Sequence, residues 1–142
     1  MTHYMNLASE PFEQICSGAK TIELRLYDEK RQAVSAGDTI IFTNLADNHQ
    51  VRAKVLELHI FDNFTELYNN LPLMKCGYTE QELDTASPDD MLAYYPKEKQ
   101  EKYKVVGIEI ELILNNKENT MSKHFRGADG SLLKADKRWS DL

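Results

Sequence analysis

The most chemically equipped stretch of the chain is Gly18-Ala-Lys-Thr-Ile-Glu-Leu-Arg25. Lys20, Thr21, Glu23 and Arg25 bring an ammonium, a hydroxyl, a carboxylate and a guanidinium into one short segment. A guanidinium can make a bidentate contact with a carboxylate, a phosphate or a base edge. A carboxylate such as Glu23 can accept from an exocyclic amine, as carboxylates do with cytosine. Lys20 serves as a phosphate contact or, when desolvated, as a base of lowered pKa. The set suits a nucleoside or a nucleotide. It equally suits a structural role, with Glu23 and Arg25 bonded to each other as a surface ion pair of little worth.

These side chains need a strand and a turn to hold them. Ile22, Leu24 and Leu26 alternate with Thr21, Glu23 and Arg25, the period of a strand with one apolar and one wet face. Glu23 and Arg25 share the wet face, with Cβ atoms about 7 Å apart. Upstream, Ser9 can cap a helix whose Phe12 and Ile15 or Cys16 face the core, and Gly18 supplies its left-handed exit. That turn brings Lys20 to the rim of the strand. Downstream, Tyr27 to Arg31 reads as a charged loop, either a solvated turn or one wall of a pocket.

Further strands are expected over residues 1–7, 39–44, 51–60 and 105–114. In 51–60 the apolar phase changes from Val51, Ala53 and Val55 to Leu56, Leu58 and Ile60, which suggests a bulge. Ile22, Leu24, Ile40, Phe42, Val106, Ile108 and Ile110 are the expected core. Between the strands, Phe61, Phe64, Leu67, Tyr68 and Leu71 follow helical spacing and Pro72 stops them. Thr79-x-x-Glu82 is a capping box, and Ser87-Pro88-Asp89-Asp90 is a second helix start. Tyr94 and Tyr95 read as core, and Lys97 to Lys104 as an exposed helix or turn.

Gly18-x-Lys20-Thr21-x-Glu23-x-Arg25 resembles the signature of the ASCH domain, a member of the PUA-like superfamily of small β-barrels. The likeness extends to Met5-Asn-Leu7, Pro11-Phe12-x-x-Ile15, Gly37-Asp38-x-Ile40-x-Phe42 and Tyr103-x-Val105-Val106-Gly107-Ile108, so it spans roughly residues 3–114. The resemblance implies an α+β fold: a PUA-like mixed β-barrel of five or six strands with two or three flanking helices. It also implies a nucleic-acid role, since ASCH domains are regarded as RNA-binding modules by analogy with PUA domains. Some small members hydrolyse N4-acylated cytidines such as N4-acetylcytidine. Their motif reads Lys-Thr-x-Thr-x-Arg, with the lysine, the second threonine and a later glutamate held to be catalytic. Lys20 matches the lysine, but Glu23 stands where the second threonine would be. Glu66, Glu80 and Glu82 are candidates for the third member.

Composition bounds these readings. A chain of 142 residues with 42% hydrophobic and 28% charged content fits one globular domain. The net charge is −6, divided between −8 over residues 1–116 and +2 over residues 117–142. An acidic body argues against tight sequence-independent binding to long duplexes. Cys16 and Cys76 form no CxxC, so free thiols and no disulfide are expected. His3, His49, His59 and His124 show no metal-ligand spacing with the cysteines, and no metal or cofactor is expected. No apolar run approaches a membrane span and no secretory leader is recognisable, so the expected location is the cytoplasm.

The sequence therefore predicts a domain over residues 1–114 and a polar tail over 115–142. Phe125, Leu132, Leu133 and Trp139 in the tail suit docking on the barrel or ordering with a partner. The expected function is binding of RNA or a nucleoside or nucleotide at one barrel mouth through Lys20, Thr21, Glu23 and Arg25, with short single-stranded RNA among the partners. The alternative is an amidohydrolase of N4-acylcytidines using Lys20, Glu23 and Thr21. RNA cleavage by the same cluster is a weaker third reading, and the oligomeric state is left open.

Overall fold

A computed structural model of the protein describes residues 1–113. The expected tail over 115–142, its docking and the last residue of the final strand lie outside them. The chain runs through Thr2–Leu7 (β1), Ser9–Ser17 (α1), Ile22–Leu26 (β2), Glu29–Gln32 (α2), Thr39–Asn44 (β3), Gln50–Phe61 (β4), Phe64–Asn70 (α3), Lys97–Tyr103 (α4) and Val105–Leu112 (β5). Between α3 and α4 lie three 3-10 segments, Leu73–Cys76, Glu80–Thr85 and Pro88–Ala93.

The expected capping signals explain most of the local breaks. Gly18 takes φ 87° and its N–H donates to the Ile15 carbonyl, closing α1 in the left-handed conformation. The box of Thr79 with Glu82 and that of Ser87 with Asp90 are both formed. Because caps and prolines recur so closely there, the chain cannot extend a long helix and settles into 3-10 turns. This is why the described residues hold four α-helices and three 3-10 segments rather than two or three helices. Ser9 is the first helical residue rather than the cap, and its hydroxyl donates to Asn44 Oδ1. The charged stretch at 27–31 is not a loop throughout: Asp28 accepts from the Arg31 N–H and starts α2.

The five strands form one sheet in the order β1-β3-β4-β5-β2. Only β1 and β3 run parallel; the other pairs are antiparallel. Among the described residues β1 and β2 do not pair with each other, so the sheet is a curled, open half-barrel and not a closed barrel of five or six strands. The change of phase in β4 is a register shift between Val55 and Glu57. There Leu56 is the extra residue, turned outward and exposed. Beyond it Leu58 returns to the core while Ile60 does not.

The sheet is covered on both faces. Inside the curl, Phe12 and Ile15 of α1 pack with Met5, Leu7, Ile40, Phe42, Val51, Ala53, Val55, Val106, Ile108 and Ile110. Each fully buried large side chain there contributes about 1.5–3 kcal/mol relative to exposure. On the outer face of β2 and β5, Ile22, Leu24, Leu26 and Val105 pack with Phe64, Leu67, Tyr68, Tyr78, Met91 and Tyr95. Gly107 leaves room for that second layer. A Cβ there would lie 2.7 Å from Leu71 Cδ1 and 3.1 Å from Ile22 Cγ2. Ile22, Leu24, Ile40, Phe42, Val106, Ile108 and Ile110 are all buried as expected, and of the tyrosine pair Tyr95 is buried while Tyr94 is half-buried against the outer core.

Candidate functional site

All five residues of β2 are buried, including the face that alternation marks as wet. The pairing explains it. Glu23 lies opposite Ile108 and Arg25 opposite Val106, both of which belong to the core inside the curl. Ile22, Leu24 and Leu26 belong to the outer core. Glu23 and Arg25 therefore point into the half-barrel rather than into solvent.

Lys20 joins them from the turn. It is still outside β2, where strand parity does not bind it, and its N–H donates to the Gln14 carbonyl at 3.0 Å. Its Nζ lies 2.8 Å from Glu23 Oε1, while Arg25 Nε lies 2.7 Å from Glu23 Oε2. One carboxylate thus takes a cation on each oxygen. Relative exposures are 1% for Lys20, 2% for Glu23 and 1% for Arg25. The expected surface ion pair is a buried triad, and its three side chains carry a net positive charge. Burial pushes the Glu23 carboxyl up, but attraction and hydrogen bonding from Lys20 and Arg25 outweigh it and hold it below its ordinary value.

Arg25 does a second thing. Its Nη2 donates to the Asn6 carbonyl at 2.9 Å. Asn6 is in β1 and Arg25 in β2, the two edges of the sheet. Five flat strands would hold those edges about 19 Å apart. A single side chain spans the gap only because the sheet curls.

Thr21 takes no part in the ion pairs of the triad. It is half-buried, and its contributions are backbone ones: its N–H donates to the Lys75 carbonyl, and its carbonyl accepts from Ile110 N–H. Nor does a glutamate of the helical region join. Glu66 is exposed and accepts at 3.4 Å from the Asp62 N–H, Glu80 is exposed, and Glu82 is spent on the capping box. The chain supplies other neighbours that sequence reasoning missed. Gln14 donates from Nε2 to the Gly77 carbonyl. A Cβ on Gly77 would lie 3.2 Å from Gln14 Oε1 and 3.7 Å from Lys20 Nζ, so the bare glycine backbone roofs both side-chain ends. Cys76 lies close enough to feel the triad. Its thiol is pushed up to about 12 by burial, with Lys20 acting against the shift and Glu23 with it. The only local signal was Gly77, whose φ of 112° needs a glycine. A cleft of about 500 Å³ formed by described residues lies elsewhere, among Asp62, Thr65, Asp89, Leu92, Lys97 and Glu101.

The family model described as the ASCH domain matches residues 5–114. The chain belongs to the ASCH domain family. Two solved structures share enough sequence to extend that result to the fold of this ASCH protein. Hypothetical protein PH0355 is 34% identical with a TM-score of 0.67, covering 80% of this chain and 100% of its own. Protein PF0455 from Pyrococcus furiosus is 30% identical with a TM-score of 0.64, covering 81% and 100%. The ZmASCH protein from Zymomonas mobilis is 13% identical with a TM-score of 0.54, covering 89% and 83%, and is alike in fold. No curated protein matches the chain. Among the described residues of the ASCH protein, Cys16 and Cys76 form no disulfide and no helix is long and apolar enough to cross a membrane.

Proposed function

We propose that this ASCH protein binds a nucleotide, or a nucleotide unit of single-stranded RNA, at the triad of Lys20, Glu23 and Arg25. The observation that carries the reading is the two-to-one ratio of cations to carboxylate, buried within an otherwise acidic body. Such a locus is suited to a phosphate or a base carbonyl, which would take donors from Lys20 and Arg25. Glu23 holds the two cations in register and offers its oxygens to an exocyclic amine. Thr21 lies at the margin as a further contact. A base role for Glu23 fits less well: the two neighbouring cations hold its carboxyl below the ordinary value, and a carboxyl held low takes up a proton poorly.

Thermal shift and calorimetry against nucleosides, nucleotides and short single-stranded RNAs test the proposal. Lys20→Met, with its fold checked by circular dichroism, should weaken binding by about 1.5–3 kcal/mol, the worth of a charge-assisted hydrogen bond. Absence of binding by the wild type, or unchanged affinity in a folded Lys20→Met protein, would overturn it. The same samples are incubated with N4-acetylcytidine and chromatographed. Cytidine release by the wild type that disappears in Lys20→Met would establish the amidohydrolase reading in its place.

A further inference from the structure

The outer face of the sheet carries a second cluster unrelated to the triad. Glu57 and His59 lie on β4, and Glu109 on β5. Each offers one ligand atom, and these three atoms all lie within 4.8 Å of one another. His59 Nε2 is 3.0 Å from Glu109 Oε1 and 4.0 Å from Glu57 Oε1.

The register shift in β4 builds this arrangement. Before it, Val55 pairs with Ile110; after it, Glu57 pairs with Glu109 and His59 with Gly107. Leu56 is accommodated as the extra residue, so Glu57 arrives directly opposite Glu109. His59 follows two residues on, on the same side. Without the extra residue, Glu57 would fall on the opposite face from Glu109. The neighbouring Gly107 is covered by Leu71, so the cluster abuts the apolar outer layer. His59 is held at 25% side-chain exposure.

We propose that Glu57, His59 and Glu109 form a binding site for a divalent transition-metal ion, with Zn²⁺ the ion it fits best. An imidazole nitrogen and two carboxylate oxygens are donors that Zn²⁺ accepts, and two carboxylates neutralise its charge. With ligand bonds of about 2.1 Å, tetrahedral geometry sets neighbouring donor atoms about 3.4 Å apart. The observed separations straddle that value, so side-chain rotation alone closes the site. Three protein ligands leave the fourth position to water, on the solvent side of Glu57, whose side chain is 66% exposed. Mg²⁺ and Ca²⁺ fit less well, because they favour all-oxygen ligand sets.

The test uses the full chain with its purification tag removed and the protein freed of metal with chelator. Zn²⁺ is titrated by calorimetry, and Co²⁺ is followed by its visible absorption as a reporter of coordination number. One equivalent of Zn²⁺ should bind, Co²⁺ should give the intense bands of a four-coordinate site, and Zn²⁺ should raise the melting temperature. His59→Ala and Glu109→Gln should each weaken Zn²⁺ at least tenfold. Their melting temperatures in chelator should stay near that of the wild type, and either variant suffices if the other fails to fold. Mg²⁺ at the same concentration should leave the melt unchanged. Absence of Zn²⁺ binding by the wild type would overturn the site. So would equal affinity in a folded His59→Ala or Glu109→Gln protein, which would place the ion elsewhere.

Discussion

Replacing Glu23 by glutamine would change one atom and remove the carboxylate that pairs with both Lys20 and Arg25. A solvent-exposed pair would lose about 0–1 kcal/mol on such a change. Here the side chains of Lys20, Glu23 and Arg25 have relative exposures of 0%, 3% and 1%, so two cations would stay buried against a neutral amide. Breaking a buried pair from one side costs about 3–5 kcal/mol, because the remaining charge keeps its desolvation penalty. A domain of this length has roughly 0.05–0.15 kcal/mol of stability per residue, so the loss is a large part of the whole. At about 2–4 °C per kcal/mol, the melting temperature should fall by roughly 6–20 °C. Urea and thermal unfolding followed by circular dichroism measure it. Replacing all three charges together by Met, Leu and Met should recover most of the loss, since apolar replacement of a buried ionic group is often neutral or stabilising. A loss in Glu23→Gln below about 1 kcal/mol would refute the reasoning, as would a triple variant less stable than the single one.

Acid should destabilise the fold through two carboxyls. Glu23 and Asp38 both titrate below their ordinary values, Asp38 at about 2 through its bonds to His3 and the Ser35 N–H. A depressed carboxyl contributes stability above its unfolded pKa and loses it as pH falls through the folded one. Urea midpoints should therefore drop between pH 4.5 and 2, and Asp38→Asn should flatten part of that slope; midpoints constant over the range would contradict this. Gly107→Ala should cost about 1–3 kcal/mol by overpacking against Leu71 and Ile22, and Leu71→Ala in the same protein should return part of it. An unchanged urea midpoint for Gly107→Ala would show that the outer layer yields more easily than its contacts indicate.

Local rules reached a good part of this molecule. The exit at Gly18, the boxes at Thr79 and Ser87 and the phase change in β4 each depend on a few consecutive residues, and each is present. The wet face of β2 was misread because alternation reports two faces without saying what covers them. What buries Glu23 and Arg25 is the curl, which depends on β1 pairing in parallel with β3 across two intervening helices and a strand. The identity of the triad was legible from the spacing of Lys20, Glu23 and Arg25, but its burial was not. Gln14, Cys76 and Gly77 were missed because they approach from distant segments. The cluster of Glu57, His59 and Glu109 was invisible to spacing, since its third member sits across a strand boundary set by the bulge.

The contact from Arg25 to the Asn6 carbonyl has a consequence for the protein at high concentration. Among the described residues β1 and β2 each have one neighbour, so each has a ladder side facing no strand. Such edges recruit strands from other copies and begin ordered aggregates. The guanidinium occupies an acceptor on one edge from a side chain rooted in the other, and so draws the two open ladders towards each other and away from foreign chains. Loss of Arg25 would then be felt first as insolubility growing with concentration, from a chain whose strands have begun to add to one another end over end.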